Sequence, residues 1–451
     1  MSAAGKPASA VIVGLGRTGL SCARHLRSLG WRIAVTDTRA NPPELARLRE
    51  LYPDVPVSLG GLDTRLLDDA VCVVASPGIS LKVPFFLEAV ARGLEIVGDI
   101  EMFARIVAAP VVGITGTNGK STVTTLVGRM AQRAGINTRV GGNLGEPALD
   151  LLAAARTEPA ETQLYVLELS SFQLETTTSL DLQAATVLNV SPDHLDRYES
   201  VGAYAAAKAR IFARCDTAVI NLDDPLVVAM PKRGQRTLGF SLRAAIGADY
   251  AVATVEGDWW LTRRGEPLMQ VAALKIKGLH NAANALAALA LGEALGLPLP
   301  AMLAELAEFP GLPHRSQWVA DVDGVTYIND SKGTNVGATL AAVGGMKGPL
   351  VMIAGGDGKN QDFAPLANAF RGKVRHTVLI GRDARAIAQV LRGVCTVELC
   401  STMEEAVRAA AKAAQPGDIV LLSPACASLD MFRDYTHRGA VFSQAVKELA
   451  A

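Results

Sequence analysis

The chain has 451 residues, more than one ordinary hydrophobic core accommodates, and this length predicts two to four domains. Hydrophobic residues make up 49% and aromatic residues only 5%, a mixture typical of helices packed on parallel sheets. The 44 basic residues balance 44 acidic ones, so the sequence offers no bulk charge to attract nucleic acid or an anionic membrane.

The cysteines and the apolar stretches narrow the class of protein further. Six cysteines are scattered without a CxxC pair, which predicts reduced, mostly buried thiols instead of a disulfide framework or a zinc site. The first ten residues lack the apolar core of a signal peptide, and the longest apolar stretches have only the length of strands. We therefore expect a soluble, cytoplasmic protein without a membrane span.

The first predicted unit is a strand, a glycine turn and a helix. The strand covers 10–14, and a second strand at 32–36 leads to Asp37, which lies 18 residues after Gly19. The glycines of the turn are Gly14, Gly16 and Gly19. This pattern fits the dinucleotide fingerprint, in which the acid reaches a ribose hydroxyl. It equally fits another nucleotide diphosphate, or a turn needed only for packing.

A second beginning lies at 110–116, where a strand enters a glycine loop that precedes a helix. Backbone N–H groups of such a loop converge on phosphate oxygens. Lys120 can neutralise phosphate charge, and Ser121 or Thr122 can offer a hydroxyl to Mg²⁺. The loop is a variant of the usual pattern, because Gly116 and Gly119 enclose only two residues. We interpret it as a nucleoside triphosphate site; the alternative is an ordinary turn with a surface lysine.

Polar side chains follow the next strands of this unit. Glu168 ends the strand at 164–169, where its carboxylate can bind Mg²⁺ or a structural partner. His194 follows the strand at 185–189 and can bind a metal or a substrate carboxylate, whereas Asp193 can cap the next helix. Without support from neighbouring motifs, a histidine in such a position is more often structural than a ligand. Lys208 lies on an Ala-rich helix, where most lysines are solvated.

Before the last unit, the alternation of strands and helices is interrupted by a segment of antiparallel strands and then by a long helix. Short antiparallel strands are predicted over 250–274, with turns at Gly257 and Gly265. An Ala-rich helix follows at 280–295, and its Asn281 and Asn284 can bind an adenine edge or cap the helix.

A third beginning lies past Gly311, where strands again alternate with helices. The predicted strands are 326–329, 350–354, 377–380 and 419–422. Three of the strand ends carry polar residues that together predict a carboxylate-binding rim at one sheet edge. These residues are Lys332, Thr334, Lys359 and Ser428. Cys426 has no histidine-led arrangement nearby, so we interpret it as structural.

Taken in order, the motifs of the second and third units resemble the Mur ligase family over nearly the whole chain. The motifs are Gly116-Thr-Asn-Gly-Lys120-Ser, Glu168-Leu-Ser-Ser-Phe-Gln-Leu, Asp193-His194-Leu-Asp-Arg, His280-Asn281-Ala-Ala-Asn284, Asn329-Asp330-Ser-Lys332, Gly355-Gly-Asp-Gly-Lys359 and Ser423-Pro-Ala-Cys-Ala-Ser428. The resemblance is strongest to the members that add D-glutamate. It implies three α/β domains: an N-terminal Rossmann-like domain at 1–98, a central P-loop ATPase-type domain at 99–311 and a C-terminal Rossmann-like domain at 312–451.

The resemblance also implies a set of site residues for each ligand. UDP-substrate contacts would be Arg17, Thr18, Asp37, Thr38, Arg39, Gly78, Asn143 and His194. ATP contacts would be Gly116, Thr117, Asn118, Gly119, Lys120, Ser121, Thr122, Asn281, Asn284, Arg315 and Asp330. Amino-acid contacts would be Lys332, Thr334, Lys359, Ser428 and Tyr435. Metal ligands would be Ser121, Glu168, His194 and Lys208, the last as a carbamate, and the catalytic residues Lys120, His194 and Lys208.

The reaction implied is the ATP-dependent addition of D-glutamate to UDP-N-acetylmuramoyl-L-alanine through an acyl phosphate, in peptidoglycan precursor synthesis. We also expect two Mg²⁺ ions, a monomeric state and hinge closure of the three domains over the substrates. Two residues depart from the family pattern: Gly333 stands where alanine is usual, and Tyr435 where phenylalanine is expected. Three alternatives stay open: an NAD-dependent dehydrogenase, a non-catalytic ATP-binding regulator, and a folylpolyglutamate-type or other Mur ligase using a different amino acid.

Overall fold

The computed structural model describes residues 8–276, 278–346 and 348–449. Their strands form three sheets of five, nine and six strands, which follow one another along the chain. Each sheet carries its own helices, and most strand pairs are parallel, as the alternating pattern of strands and helices predicts.

The first sheet is wholly parallel, with the order β3-β2-β1-β4-β5. Its strands are β1 (Ser9–Val13), β2 (Arg32–Asp37), β3 (Val57–Leu59), β4 (Cys72–Ala75) and β5 (Glu95–Val97), and its helices are α1 (Arg17–Ser28), α2 (Leu45–Leu51) and α3 (Pro84–Ala91). The order reverses between β1 and β4, which opens a crevice at the carboxyl ends of these two strands. The glycine turn predicted after the first strand lies at this crevice.

The second sheet has the order β14-β13-β12-β11-β10-β9-β6-β8-β7. Its strands are β6 (Val111–Thr115), β7 (Thr138–Gly142), β8 (Leu164–Glu168), β9 (Leu182–Val187), β10 (Cys215–Asn221), β11 (Arg236–Ser241), β12 (Tyr250–Val255), β13 (Asp258–Arg263) and β14 (Glu266–Gln270). Its helices are α4 (Asp99–Ala104), α5 (Lys120–Arg133), α6 (Ala148–Ala155), α7 (Ser171–Glu175), α8 (Val201–Ala209), α9 (Pro225–Val228), α10 (Leu279–Ala294) and α11 (Leu299–Glu308). The pairs β12–β13 and β13–β14 are antiparallel, which confirms the antiparallel segment predicted around Gly257 and Gly265.

The third sheet has the order β15-β16-β20-β17-β18-β19, antiparallel only between β15 and β16. Its strands are β15 (Gln317–Val322), β16 (Val325–Asn329), β17 (Leu350–Gly355), β18 (Val374–Ile380), β19 (Thr396–Leu399) and β20 (Ile419–Leu422). Its helices are α12 (Val336–Gly345), α13 (Ala364–Phe370), α14 (Ala384–Val390), α15 (Met403–Ala413) and α16 (Tyr435–Leu449). Every residue of β17 is buried, because helices cover both faces of the sheet.

The hydrophobic core is continuous across the first two sheets. One cluster of buried residues includes Ile12 of β1, Phe103 of α4 and Leu149 of α6. The ring of Phe103 packs edge-on against Tyr165 of β8 with 5.2 Å between ring centres. Polar contacts reinforce this contact region: Glu101 of α4 accepts hydrogen bonds from the backbone N–H groups of Thr178 and Ser179.

The third sheet is packed separately from the other two. Two further clusters cover it and consist wholly of residues beyond 318, with Phe370 in one and Phe442 in the other. The third part of the chain therefore has a hydrophobic core of its own.

Two expectations about the chain as a whole can be compared with the structure. All six cysteines are free, and burial raises the pKa of each thiol. In the described ranges, no helix is both long enough and apolar enough to cross a membrane.

Candidate active site

The predicted phosphate loop connects β6 to α5. Gly116 and Gly119 both have positive φ, +145° and +85°, a backbone conformation that side chains disfavour. A Cβ atom on Gly119 would also lie 2.4 Å from Asn284 Oδ1. Lys120 begins the helix, and its Nζ donates to the carbonyl oxygens of Gly116, at 3.0 Å, and Thr117, at 2.9 Å. The structure thus forms a strand, glycine loop and helix with a lysine at the loop, as predicted.

Glu168 and Ser121 form a paired oxygen site beside this loop. Ser121 Oγ donates to Glu168 Oε2 at 2.5 Å, and Asn143 Nδ2 donates to Glu168 Oε1 at 2.7 Å. Arg315 reaches in from the third part and donates from Nη2 to Ser121 Oγ at 2.6 Å. Burial opposes ionisation of Glu168, but the charge of Lys120 and these hydrogen bonds outweigh it and lower the pKa.

The paired oxygens fit a hard cation such as Mg²⁺, which prefers carboxylate and hydroxyl ligands. Over the described ranges, no group of three or more His, Cys, Asp or Glu side chains could hold a metal ion by itself. Mg²⁺ usually retains waters and binds one or two carboxylates together with substrate phosphates. The residues present therefore fit a cation that is held jointly with a nucleotide.

Lys208 is fully buried, so the interpretation of this position as an ordinary solvated lysine is wrong. It lies on α8, and its Nζ donates to the carbonyl oxygen of Gly116 at 2.9 Å and lies 4.5 Å from the ring centre of Tyr204. Burial lowers its pKa well below the usual value, and the nearby charge of Lys120 lowers it further. A buried, neutral amine is a nucleophile that can take up CO₂ as a carbamate.

His194 lies in a cavity of about 280 Å³ that Lys120, Glu168, Lys208 and residues of the third part also line. Its ring packs edge-on against Phe172 at 4.9 Å, and burial lowers the pKa of the imidazole. The expectation that Asp193 caps the next helix is wrong, because Ser200 caps α8. Asp193 instead accepts hydrogen bonds from His194 N and from Asn335 Nδ2 of the third part.

A second cavity, of about 310 Å³, joins the phosphate loop to α10. Asn281 and Asn284 line it, and Asn284 Nδ2 donates to Asn281 Oδ1 at 3.1 Å. Gly278 is the N-cap residue of α10, so neither asparagine occupies that position. Asn118, Gly119, Thr122, Arg315 and Asp330 line the same cavity. Amide groups beside an apolar wall suit an adenine ring.

The third cavity, of about 540 Å³, lies at the crevice of the first sheet. Seven of the residues implied for the UDP-substrate line it: Arg17, Thr18, Asp37, Thr38, Arg39, Gly78 and Asn143. The eighth, His194, lines the 280 Å³ cavity instead. Burial opposes ionisation of Asp37, but hydrogen bonds from Arg39 and from the N–H of Leu15 lower the pKa to about 2. Asp37 is therefore a fixed carboxylate that orders the Arg39 loop.

The predicted convergence of three strand ends is confirmed. Strands β16, β20 and β17 are parallel neighbours, so their carboxyl ends share one edge of the sheet. Lys332, Thr334 and Lys359 line the cavity that contains Lys120 and His194. Burial lowers the pKa of Lys332 to about 8, as do the charges of Arg315 and Lys120.

The other two residues implied for the amino acid, Ser428 and Tyr435, lie differently from these three. Ser428 is buried and is not among the residues that line the three cavities. Tyr435 is the first residue of α16, and Lys332 Nζ lies 4.0 Å from the centre of its ring. The loops after β16 and β20 are held together by the buried Arg438, which donates to Ser331 O at 2.8 Å and to Cys426 O at 3.1 Å. Sequence reasoning missed Arg438, since nothing in its helical context indicates burial.

Comparison with known proteins gives one consistent result. The sequence matches the family models "Mur ligase MurD-like, N-terminal domain" over residues 8–98, "Mur ligase middle domain" over 114–292 and "Mur ligase, glutamate ligase domain" over 314–426. It is 52% identical over 440 residues to the UDP-N-acetylmuramoylalanine–D-glutamate ligase of Methylococcus capsulatus, covering 98% of this chain and 95% of that one. It is 50% identical over 444 residues to the enzyme of the same name from Pseudomonas aeruginosa, covering 98% of both chains.

Solved structures share the fold at much lower sequence identity. A pseudomurein peptide ligase type C from Methanothermus fervidus is 18% identical, covers 98% of this chain and 100% of its own, and has a TM-score of 0.63. The UDP-N-acetylmuramate-alanine ligase from Thermotoga maritima is also 18% identical, covers 98% of this chain and 99% of its own, and has a TM-score of 0.61.

Proposed function

Because the chain belongs to the Mur ligase family, we propose that it adds D-glutamate to UDP-N-acetylmuramoyl-L-alanine in an ATP-dependent reaction that gives ADP and phosphate. The single observation that carries this proposal is the 280 Å³ cavity. There a phosphate loop, a Glu168–Ser121 cation site and two lysines of the third part face one another. A nucleotide held in this way lies beside a place for a second, anionic substrate.

The proposed chemistry makes an inert carboxylate reactive. The alanyl carboxylate attacks the γ-phosphorus of ATP, and ADP leaves with the electron pair of the broken P–O bond. The amine of D-glutamate then attacks the acyl phosphate, loses a proton, and the tetrahedral intermediate expels inorganic phosphate to leave the amide. Positioning and neutralisation of charge supply most of the rate enhancement in such phosphoryl transfers.

The residues of this chain would act in three groups. Lys120 would neutralise charge on the transferred phosphoryl group, and Arg315 and Asp330 would hold the nucleotide from the third part. Ser121 and Glu168 would hold Mg²⁺, which lowers the negative charge of the phosphates when bound. His194 and Lys208, the latter as a carbamate, would serve a second ion.

The substrates would bind on either side of this centre. The 540 Å³ cavity would take the uridine diphosphate, with Arg17 and Arg39 near its phosphates. Lys332, Thr334 and Lys359, with the N-terminal backbone of α16 at Tyr435, would hold D-glutamate; Ser428 would complete this site. The domains would be 1–98, 99–311 and 312–451, in a monomer acting in the cytoplasm.

A phosphate-release assay tests this proposal. The protein is supplied with Mg²⁺, ATP and UDP-N-acetylmuramoyl-L-alanine, and then with D-glutamate or with each of a panel of other D- and L-amino acids. We expect phosphate release that depends on D-glutamate, and an amide product by mass spectrometry. No phosphate release with any amino acid would refute the ligase proposal, and release with a different amino acid would refute its substrate.

Two alternatives make different predictions in the same experiment. An NAD-dependent dehydrogenase would change the absorbance of NADH and leave ATP intact. A non-catalytic regulator that uses ATP as a switch would lose binding of its partner in Lys120→Ala, and its wild type would form no amide.

A further inference from the structure

The segment 193–197, here called the junction segment, contacts both outer parts of the molecule. It follows β9 of the central sheet and contains His194, which lines the 280 Å³ cavity. The residues at its two ends, Asp193 and Arg197, each make a hydrogen bond to a different outer part.

On the side of the third part, the contact is between Asp193 and Asn335. Asn335 Nδ2 donates to Asp193 Oδ2 at 3.2 Å, while Asn335 Oδ1 caps α12 by accepting from Ala338 N at 2.8 Å. The first turn of α12 also packs closely against the central part, because a Cβ atom on Gly337 would lie 2.8 Å from Ser191 Oγ. One asparagine thus caps the start of a helix of the third part and holds it to the junction segment.

The start of α12 is connected in turn to the residues proposed to hold D-glutamate. Val336 N donates to Gln361 Oε1 at 3.0 Å, and Gln361 Nε2 donates to Gly358 O at 2.9 Å, beside Lys359. Thr334 directly precedes Asn335. A displacement of Asn335 would therefore carry Thr334 and the Lys359 turn with it.

On the side of the first sheet, the contact is made by Arg197. Its Nη1 donates to Pro77 O at 3.1 Å and its Nη2 to Glu175 Oε2 at 2.8 Å, with its guanidinium carbon 4.4 Å from the ring centre of Phe172. Pro77 and Gly78 line the 540 Å³ cavity. The Arg197 side chain is only 11% exposed, so its guanidinium group is held in one orientation between the first part and the central part.

We propose that the junction segment positions both substrates: Asp193, through Asn335, sets the amino-acid loop, and Arg197, through Pro77, sets the UDP-substrate loop against the same reacting centre. Asp193, Asn335 and Arg197 are positioning residues that act through their neighbours. The inference rests on the proposed function, since it assigns each contact to one of the two substrates.

The expected change in KM depends on the fraction of molecules in which the substrate loop stays docked. If only a docked loop binds its substrate, the apparent affinity is the intrinsic affinity multiplied by the fraction of molecules in which the loop is docked. Loss of a hydrogen bond to a charged group changes such an equilibrium by about tenfold to a hundredfold. The KM of the substrate on the affected side should rise by that factor, and kcat measured at saturation should change much less.

An exchange of the two side chains tests the Asp193–Asn335 contact. Asn335→Asp keeps the helix cap but places two carboxylates opposite each other, so we expect the KM for D-glutamate to rise about tenfold or more. In the double variant Asp193→Asn with Asn335→Asp, the amide introduced at position 193 can donate to the carboxylate introduced at position 335. We expect this double variant to recover a KM within about threefold of the wild type.

Arg197→Gln tests the other side. Its KM for the UDP-substrate should rise about tenfold, while its KM for D-glutamate changes less. Arg214→Gln is the matched control, because Arg214 makes an exposed pair with Asp181 elsewhere in the central part. It should leave both KM values unchanged.

The results separate this inference from the proposed function. Wild-type protein without phosphate release that depends on D-glutamate would refute the proposed function. Wild-type activity together with an unchanged KM for D-glutamate in Asn335→Asp would overturn the inference alone. A double variant as impaired as Asn335→Asp, or an Arg197→Gln variant that changes both KM values equally, would also overturn it.

Discussion

Two lysines, one buried and one half-buried, share one carbonyl oxygen in this protein. Lys120 Nζ and Lys208 Nζ donate to Gly116 O at 3.0 and 2.9 Å. Two ammonium groups on one acceptor repel each other, so one of them is more stable neutral. Burial lowers the pKa of both lysines, and the pKa of Lys208, which is only 1% exposed, falls well below its usual value. The lowered pKa of Lys208 is therefore caused by the residues packed around it and not by the sequence of its helix.

Replacement of Lys208 should separate activity from stability. In Lys208→Met, phosphate release should fall at least about a hundredfold, because the ligand proposed for the second ion is lost. The free energy of unfolding should stay equal or increase, since a buried amine is exchanged for an apolar chain of similar length. Chemical denaturation and the release assay measure the two effects. Lys82→Met, at an exposed pair with Glu199, is the control and should change neither.

Lys332 gives a prediction about pH. Burial lowers its pKa to about 8, so the charged ammonium is complete well below pH 8 and is lost as the pH rises through this value. If the charge binds D-glutamate, loss of the ammonium should lower kcat/KM for D-glutamate about tenfold per pH unit above pH 8, relative to a variant whose charge is permanent. Lys332→Arg should lack this fall, because a guanidinium keeps its charge. Ionisation of the D-glutamate amine affects both proteins equally; identical profiles would contradict the prediction.

At the residue scale, the sequence predicted positions better than surroundings. The glycine loop, Glu168 and Lys332 stood at strand ends in the sequence and stand there in the structure. The burial of Lys208 and Arg438 was not predictable from local pattern, because both lie on helices whose covering elements come from distant parts of the chain. The same holds for the contact between Asp193 and Asn335, 142 residues apart.

Among the elements, the phosphate loop allows a test with a matched control. Gly119 and Gly135 lie at the two ends of α5 and have nearly the same φ, +85° and +84°. A Cβ atom on Gly119 would meet Asn284, whereas one on Gly135 would meet no atom within 4 Å. Both substitutions to alanine should cost about 1 kcal/mol of stability through the backbone.

Only Gly119→Ala should impair the proposed nucleotide site. Its KM for ATP should rise at least about tenfold, because the loop and Asn284 must move apart. Gly135→Ala should leave the KM for ATP unchanged, as measured by steady-state kinetics. Equal effects on KM would show that strain in the backbone, and not the contact with Asn284, determines nucleotide binding.

The elements that the sequence placed well were short runs of mostly apolar residues that lead into a glycine or polar residues. Strands β1, β2, β8 and β20 are of this kind, and they lie within two residues of the predicted ranges. Strand β7 was missed because two of its five residues are glycine, and β11 because it mixes polar residues with a glycine. Such strands are stabilised by their neighbours in the sheet more than by their own composition.

For the whole molecule, the distribution of the core predicts how it unfolds. The first two sheets share one hydrophobic cluster, whereas the third sheet has two of its own. Calorimetry should therefore show at least two transitions, one for residues up to about 311 and one for the remainder.

Two substitutions of buried phenylalanines assign these transitions. Phe103 and Phe370 are both fully buried, in the shared cluster and in a cluster of the third sheet. Each change to alanine should destabilise its own unit by about 3–5 kcal/mol and shift one transition only. A single transition shifted by both variants would show that the polar contacts between the parts make the molecule cooperative throughout.

The raised pKa values of the six native thiols have a practical consequence for spectroscopy. A thiol whose pKa is raised stays protonated at neutral pH and reacts slowly with maleimides. A cysteine introduced at a fully exposed position, such as Ile246→Cys, should therefore take a fluorophore before any native cysteine does. Pairs of dyes on different sheets could then follow the relative motion of the three parts in the otherwise unaltered chain.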